Sequence, residues 1–400
     1  MKKIFKYAML FAMACSLTTA MTSCSSNDDD TPQTGQLSEG DKYLQKVLAA
    51  NVDNTINPTY KALADGCEKL NNELEALTPG SITQQQVDNV CKTFLETRAN
   101  YERSEAFLLG AASHFLIDPH IDSWPLGLNE LYNYLKADHK YKITDQSILG
   151  FHGIEFILFR DGKPRKAAEL NSHDSYNQAG IDFTIFSGTQ ELDYAKAVAE
   201  DLRNSVYRLE CSWDENANKE HVKVLDELET VYKTDKGFSY GYEMKNAGDP
   251  TKSTYNTVKL AVSSVLTGDN SAGGIADEVG NTKINNPFSG KDESYIESPY
   301  SYNSLTDFQN NIHSIENVWF GGVEGKRGEY SFHNYFKKYD AKVGQRVETA
   351  ISDALKQIAA IKYPFVKNIK DPQCKNAIKA CQELNDALAA ASDFVGKNNK

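Results

Sequence analysis

"GFHGIEFILF", residues 150–159, decides how this chain is read. If the segment is helical, His152 and Glu155 share one face, about 4.5 Å apart along the axis. The side chains around them (Ile148, Leu149, Phe151, Ile154, Phe156, Ile157, Leu158 and Phe159) are apolar in every direction. A helix that is hydrophobic all round belongs inside a core. Ionisable groups in a core have to be paired or coordinated. Gly150 and Gly153 would let a second element approach closely. The segment therefore predicts a buried helical site before it predicts a function.

Outward from it, the sequence reads as helix after helix. "GDKYLQKVLAANVDNTINPTYKALADGCEKLNNELEAL" has helical periodicity with a break before Pro58. A second helix starts at a Ser81 cap and runs toward "GAASHFL". The 150–159 segment extends back to a cap at Thr144 or Asp145. "TQELDYAKAVAEDLRNSVYRLECSW" and "KEHVKVLDELETVYK" are amphipathic, and two long helices close the chain after 340. Without runs of alternating strands, the expected fold is all-α: two helical-bundle domains, 41–232 and 233–400, with a site at their interface. "FHGIEFILFRDG" at 151 and "IHSIENVWFGG" at 312 share His, Ile, Glu and a later Phe in one register. That is compatible with an internal duplication, each half presenting an H-x-x-E face.

The N-terminus reads as a lipoprotein signal over residues 1–23: basic "MKKIFK", a short apolar run, then "TSC" ending at Cys24. Residues 24–40 form an acidic tether too poor in apolar side chains to fold. Acylation of Cys24 would anchor the chain to the outer membrane, with the cell surface the first expectation and the periplasmic face the second. Removing 1–23 removes Lys2, Lys3 and Lys6 and no acid, so the formal charge of −12 becomes −15. Such a chain does not bind nucleic acid and weakly concentrates cations. Cys67 and Cys91 flank the turn "LTPGSIT", so antiparallel helices could bring them together as a disulfide or leave them as core thiols. Cys374 and Cys381, seven apart on a helix, are too distant to bridge each other and read as core.

Four stretches together resemble the imelysin family: "SEAFLLGAASHFLIDPHIDSWPL" (104–126), "GFHGIEFILF", "VLTGDNSAGGIADEVGN" (265–281) and "ESPYSYNSLTDFQNNIHSIENVWFGG" (297–322). The family's G-x-H-x-x-E signature stands as Gly150, His152 and Glu155. The resemblance implies an all-helical, two-domain protein of the cell envelope. It also implies a metallopeptidase by name and an association with iron acquisition. The acidic run after Cys24 is similar to that of Bacteroidetes surface lipoproteins. Where the family reads G-G-E-L-A-G-E-R-M, this chain keeps Glu278 but has Val279 for the arginine. Where the family reads E-H-S-C-F-S-D-N-T, it keeps Glu297, Ser298, Ser301 and Asn303 without the histidine.

The resemblance and the spacing make His152 and Glu155 candidate metal ligands, with Asp122, Trp124, Glu278, Glu297 and Ser301 as binding residues. His313 and Glu316 would be third and fourth ligands if the two halves faced each other, a His₂Glu₂ set suited to iron or zinc. Ser104 and Glu105 either point into the same cleft or end a helix, and His120 shares a loop with Asp118 and Asp122. His114, His139, His173, His221 and His333 read as surface or singly satisfied core residues. A zinc hydrolase needs three ligands, an open position and a base; H-x-x-E supplies two ligands and no base. The sequence thus favours a lipoprotein that captures iron, or an iron-bearing ligand, for outer-membrane uptake components. A zinc-dependent peptidase and a scaffold whose buried pair is structural are the alternatives. A third histidine or carboxylate near His152 in the folded protein would reverse that preference.

Overall fold

The computed structural model describes residues 37–137, 143–178 and 180–398, and Ser38–Lys400 form one compact unit. Cys24, the signal and His139 lie outside the described residues. The fold is all-α, as the periodicity implies. Its principal helices are α1 (Glu39–Asn51), α2 (Asn57–Glu75), α3 (Gln84–Glu102), α4 (Leu128–Lys136), α5 (Gly150–Leu158), α6 (Gly188–Trp213) and α7 (Lys219–Glu227). They continue with α8 (Val258–Leu266), α9 (Ala272–Asp277), α10 (Ser304–Phe320), α11 (Phe332–Tyr339), α12 (Ala341–Ala359) and α13 (Cys374–Lys397). Two antiparallel hairpins, Phe159–Arg160 with Lys163–Pro164 and Asn177–Gln178 with Ile181–Asp182, are the sheet structure among the described residues.

Several expected boundaries shift for local reasons. The break before Pro58 is a wide π-turn, Val52–Ile56, so α1 and α2 follow each other without a loop. Thr83, not Ser81, caps α3: its hydroxyl accepts from Gln86 N while the Gln86 side chain accepts from Thr83 N. Asp145 caps only the turn Gln146–Ile148. Helix α5 then starts at Gly150, whose φ of +78° is costly for any residue with a Cβ. A Cβ there would also lie 2.0 Å from Ile121 O.

Helix α5 packs between α3 and α6, and all nine of its residues are buried. In the second half, α12 and α13 pair, and α9 and α10 lie against them. Helix α10 also packs on α3, which brings the two halves of the sequence together at the site. The boundary expected near 232 falls in the segment joining α7 to the turns before α8. Cys67, Cys91, Cys374 and Cys381 are all free, buried thiols.

Candidate functional site

His152, on the first turn of α5, is 1 % exposed. Its Nδ1 lies 3.4 Å from Glu155 Oε2. Its Nε2 faces two other carboxylates at ion-pair distance, Asp122 Oδ1 at 3.2 Å and Glu297 Oε1 at 3.3 Å. The Trp124 ring covers it, centroids 5.1 Å apart, and Tyr295 packs edge-on against Trp124 at 5.0 Å.

Glu155 has a different task from the one its spacing implied. Its Oε1 accepts from Tyr300 N (3.1 Å), Ser301 N (2.8 Å) and Ser301 Oγ (2.7 Å). It therefore sits on the Nδ1 side of the imidazole, away from the two carboxylates at Nε2. A carboxylate on one ring nitrogen fixes the tautomer and orientation of the other, the usual support for a metal-binding histidine. Glu155 positions; Asp122 and Glu297 face the donor nitrogen.

The loop that supplies Glu297, Tyr300 and Ser301 is strained. Ser298 and Tyr302 have φ of 43° and 63°, a region that costs a residue with a side chain about 1–3 kcal/mol. Ser298 Oγ donates to Asp307 Oδ2 at 2.6 Å and the Tyr302 hydroxyl to Asp161 Oδ1 at 2.9 Å, which offsets some of that strain.

Behind the triad lies a buried ionic network that sequence reasoning missed. Arg98 is 1 % exposed and bonds Asp122, Glu102 (2.6 Å) and Glu297 (2.5 Å). Lys283, 3 % exposed, lies 3.1 Å from Glu105, 3.3 Å from Glu297 Oε2 and 4.0 Å from Glu102. Asn311 also donates to Glu102. Eight carboxyl groups (Glu102, Glu105, Asp118, Asp122, Glu155, Glu278, Glu297 and Asp307) gather around three bases, Arg98, His152 and Lys283.

That imbalance moves the titrations apart. Against burial, Lys283, His152 and Arg98 bring Glu297 down to about 2. Against burial, Arg98 and His152 hold Asp122 well below the usual range. Burial holds Glu102, Glu105, Glu278 and Asp307 above it. The surrounding carboxylates raise His152 well above 6.5, overcoming its burial. Burial thus favours the neutral form of these four carboxyls, while the neighbouring bases favour the charged form of Asp122 and Glu297.

Asp118 makes this testable. Burial raises it to about 6, although the Tyr101 hydroxyl donates to it. The folded state then holds a proton that the unfolded chain, at 3.8, has released. Stability is full below about pH 4 and falls as pH rises through about 6. Asp118→Asn should be more stable than wild type at pH 8 by about 1–3 kcal/mol, with no difference at pH 4. Urea melts at the two pH values measure this, and equal differences at both would refute it.

A cavity of about 270 Å³ opens on the network, lined by Glu105, Asp118, Asp122, Trp124, Glu278, Lys283, Tyr295 and Glu297 among others. Of the residues expected at the site, Asp122, Trp124, Glu278 and Glu297 line this cavity; His152 lies against Asp122, Trp124 and Glu297, and Glu155 with Ser301 stands on the other side of its ring. Glu105 joins them, and Ser104 ends α3 by donating to Tyr101 O. His120 instead pairs with Asp201. His313 and Glu316 do not complete the set: they pair with each other at 2.8 Å, and Glu316 also pairs with Arg327, beside a separate cavity. On α10, Asp307, Asn311 and Ser314 form the inward stripe, and Glu316, nine residues past Asp307, projects about 180° away at 100° per residue.

The fit to a metal ion rests on the donors themselves. Asp122, His152 and Glu297 offer ligand atoms that all lie within 4.8 Å of one another. Separations of 3.2 and 3.3 Å from Nε2 are close to the roughly 3.3 Å edge of a tetrahedron with bonds of about 2.0 Å. One imidazole and two carboxylates, without a thiolate, suit iron, manganese or zinc.

The imelysin (peptidase M75) sequence profile matches residues 56–391. The chain belongs to the imelysin family. It is 23 % identical over 353 residues to iron-regulated protein A of Synechococcus elongatus, covering 88 % of this chain and 84 % of that protein. A crystal structure from Parabacteroides distasonis, assigned as an iron-regulated protein A precursor, superposes with a TM-score of 0.74 at 27 % identity. That match covers 90 % of this chain and 97 % of the other. An imelysin-like protein from Psychrobacter arcticum shares the fold, with a TM-score of 0.50 at 11 % identity over 89 % of this chain and 94 % of its own.

Proposed function

We propose that this imelysin-family protein binds iron at Asp122, His152 and Glu297 and serves an outer-membrane uptake system as a lipid-anchored protein. One observation carries the reading: His152 Nε2 is buried 3.2 and 3.3 Å from two carboxylates, Asp122 and Glu297, that are held in their charged form. A bound cation would take the Nε2 lone pair of the neutral ring, share the Asp122 and Glu297 oxygens with Arg98, and add positive charge to a site rich in carboxyls. The iron-regulated relatives support iron as the physiological ion, since a nitrogen–oxygen set alone does not choose among first-row metals.

The protein should bind one Fe²⁺ per chain in anaerobic equilibrium dialysis, with Zn²⁺ and Mn²⁺ as alternatives. Glu297→Gln should weaken that affinity at least about tenfold. Equal affinities, or no binding of any of the three ions, would remove the reading. A zinc peptidase is the second reading, because Asp122 and Glu297 supply the third donor that the sequence argument asked for. Against it, His152 lies 1 % exposed under Trp124, and a 270 Å³ cavity leaves no bed for an extended peptide. Chelator-sensitive cleavage of a protein substrate, lost in Glu155→Gln, would put hydrolysis first.

Anchoring belongs to the same proposal and rests on the "TSC" boundary and the acidic residues after it. Among the described residues no helix is long and apolar enough to cross a membrane. Cys24→Ala should therefore move the protein from the outer-membrane fraction to the soluble one. A variant that still fractionates with the membrane would show another anchor. Protease shaving of intact cells separates surface display from the periplasmic face.

A further inference from the structure

The His313 and Glu316 pair, unused at the metal site, opens on a cavity of its own. It measures about 560 Å³ and lies where α2, α3 and α10 meet the loop that follows α10. That volume is in the range of small-molecule sites. It shares no lining residue with the cavity beside His152. Each cavity has a π-turn next to it. Glu278–Ile284 carries Glu278 and Lys283 to the metal network, and Val52–Ile56 anchors the loop of this second cavity, where Val323 N donates to Asn54 O at 2.9 Å.

Three basic side chains line the second cavity, and each is held by contacts that leave polar atoms over. Arg103 Nε donates to Asn310 Oδ1 at 3.0 Å, and its guanidinium pairs with no carboxylate among the described residues. Arg327 lies 4.9 Å over the Phe320 ring and donates from Nη2 to Glu316 at 3.1 Å, which leaves Nη1. His313 has Nδ1 at 2.8 Å from Glu316, which leaves Nε2. Asn317 adds an independent sign. It lines the cavity at 7 % exposure, and its carbonyl accepts from Thr55 and Gly322. Its side-chain amide has no hydrogen-bond partner among the described residues. An amide so deeply buried is ordinarily bonded.

The charges choose the sign of a ligand. Glu316 is engaged by His313 and Arg327, and Glu324 is exposed at the rim, so the guanidinium of Arg103 is the charge left uncompensated. Two guanidinium groups in the lining oppose a metal ion and suit a carboxylate or phosphate, whose oxygens match their fork. With Nδ1–H given to Glu316, the neutral His313 ring presents Nε2 as an acceptor, which suits a hydroxyl.

We propose that this cavity binds a small hydroxylated anion, its carboxylate or phosphate group held by Arg103, Arg327 and the Asn317 amide and its hydroxyl by His313 Nε2. The site is independent of the metal-binding reading. A chain with a formal charge of −12 does not gather anions unspecifically, so saturable binding would report this cavity.

Isothermal titration calorimetry of the whole protein tests it with two pairs of probes, malate against succinate and glycerol 3-phosphate against inorganic phosphate. One hydroxylated probe should bind saturably, and which one does distinguishes a carboxylate from a phosphate ester. Its counterpart without the glycerol or hydroxyl group should bind about tenfold more weakly. Arg103→Gln/Arg327→Gln should weaken binding about 10–100-fold, and His313→Leu should abolish the preference within the pair. Arg346→Gln, a surface control, should stay within about twofold of wild type. Thermal melts confirm that each variant is folded. No saturable heat from any of the four probes would overturn the proposal. So would binding that survives in the double arginine variant.

Discussion

Arg98→Met should lose about 3–5 kcal/mol of stability in urea titration at neutral pH and regain part of it when a divalent cation is added. The guanidinium is the centre of the buried network, bonding Asp122, Glu102 and Glu297 from a position 1 % exposed. Removing one partner of a buried ion pair leaves uncompensated charge, and here three carboxylates lose their cation together. Methionine keeps most of the volume, so a cavity contributes little. Arg98→Lys should recover only part of the loss, because an ammonium cannot reproduce the guanidinium fork. A control at Arg346, whose pair with Glu383 is about half exposed, should stay within about 1 kcal/mol of wild type. The added cation is what separates a binding site from a structural network. With Arg98 gone, Asp122 and Glu297 should favour a metal ion more strongly, so Mn²⁺ or Zn²⁺ should raise the thermal midpoint more in the variant than in wild type. A variant as stable as wild type, or one that no cation rescues, would mean the carboxyls simply protonate.

Much of this arrangement was legible in the sequence, and the missing parts have identifiable causes. An apolar run interrupted only by His152 and Glu155 fixed a buried helix, and α5 is buried at every residue. Periodicity placed the helices but not the π-turns, whose wider pitch leaves no signature in an amphipathic pattern. Lys283 was missed for that reason: at α-helical pitch it turns away from Glu278. Arg98 and Glu102 could have been found. Val87, Val90, Cys91, Phe94, Tyr101 and both charged residues are buried on α3, and 87, 91, 94, 98 and 102 run at three- and four-residue spacing. Charges four apart on a helix are usually solvated; charges on its apolar stripe are not. The pairing of His313 with Glu316 repeats the spacing of His152 and Glu155 but not their position. Spacing alone fixes that two residues share a face. The flanking residues decide whether that face is inward.

The division of labour within the motif itself should appear as a contrast between substitutions. Both residues are 1 % exposed, so a single change that leaves the other without its partner costs stability. His152→Ala should abolish measurable metal binding and also destabilise the fold, so by itself it decides nothing. Glu155→Gln is the informative change. Glutamine fills the same volume and can still accept from Ser301 and Tyr300, but its amide would donate toward His152 Nδ1. The ring proton then moves to Nε2, the nitrogen that faces Asp122 and Glu297, and the metal loses its donor. Affinity should fall about 10–100-fold, with stability within about 1–3 kcal/mol of wild type. The double variant His152→Phe/Glu155→Leu removes both polar groups from an apolar helix and should fold as stably as either single variant or better, since replacing a buried pair by apolar side chains is often neutral or stabilising. It should bind no metal. Equilibrium dialysis beside thermal melts for the three proteins separates the outcomes. If the double variant is more stable than wild type and binds iron normally, His152 and Glu155 are packing, and the cation site must be sought among the carboxyls around Lys283.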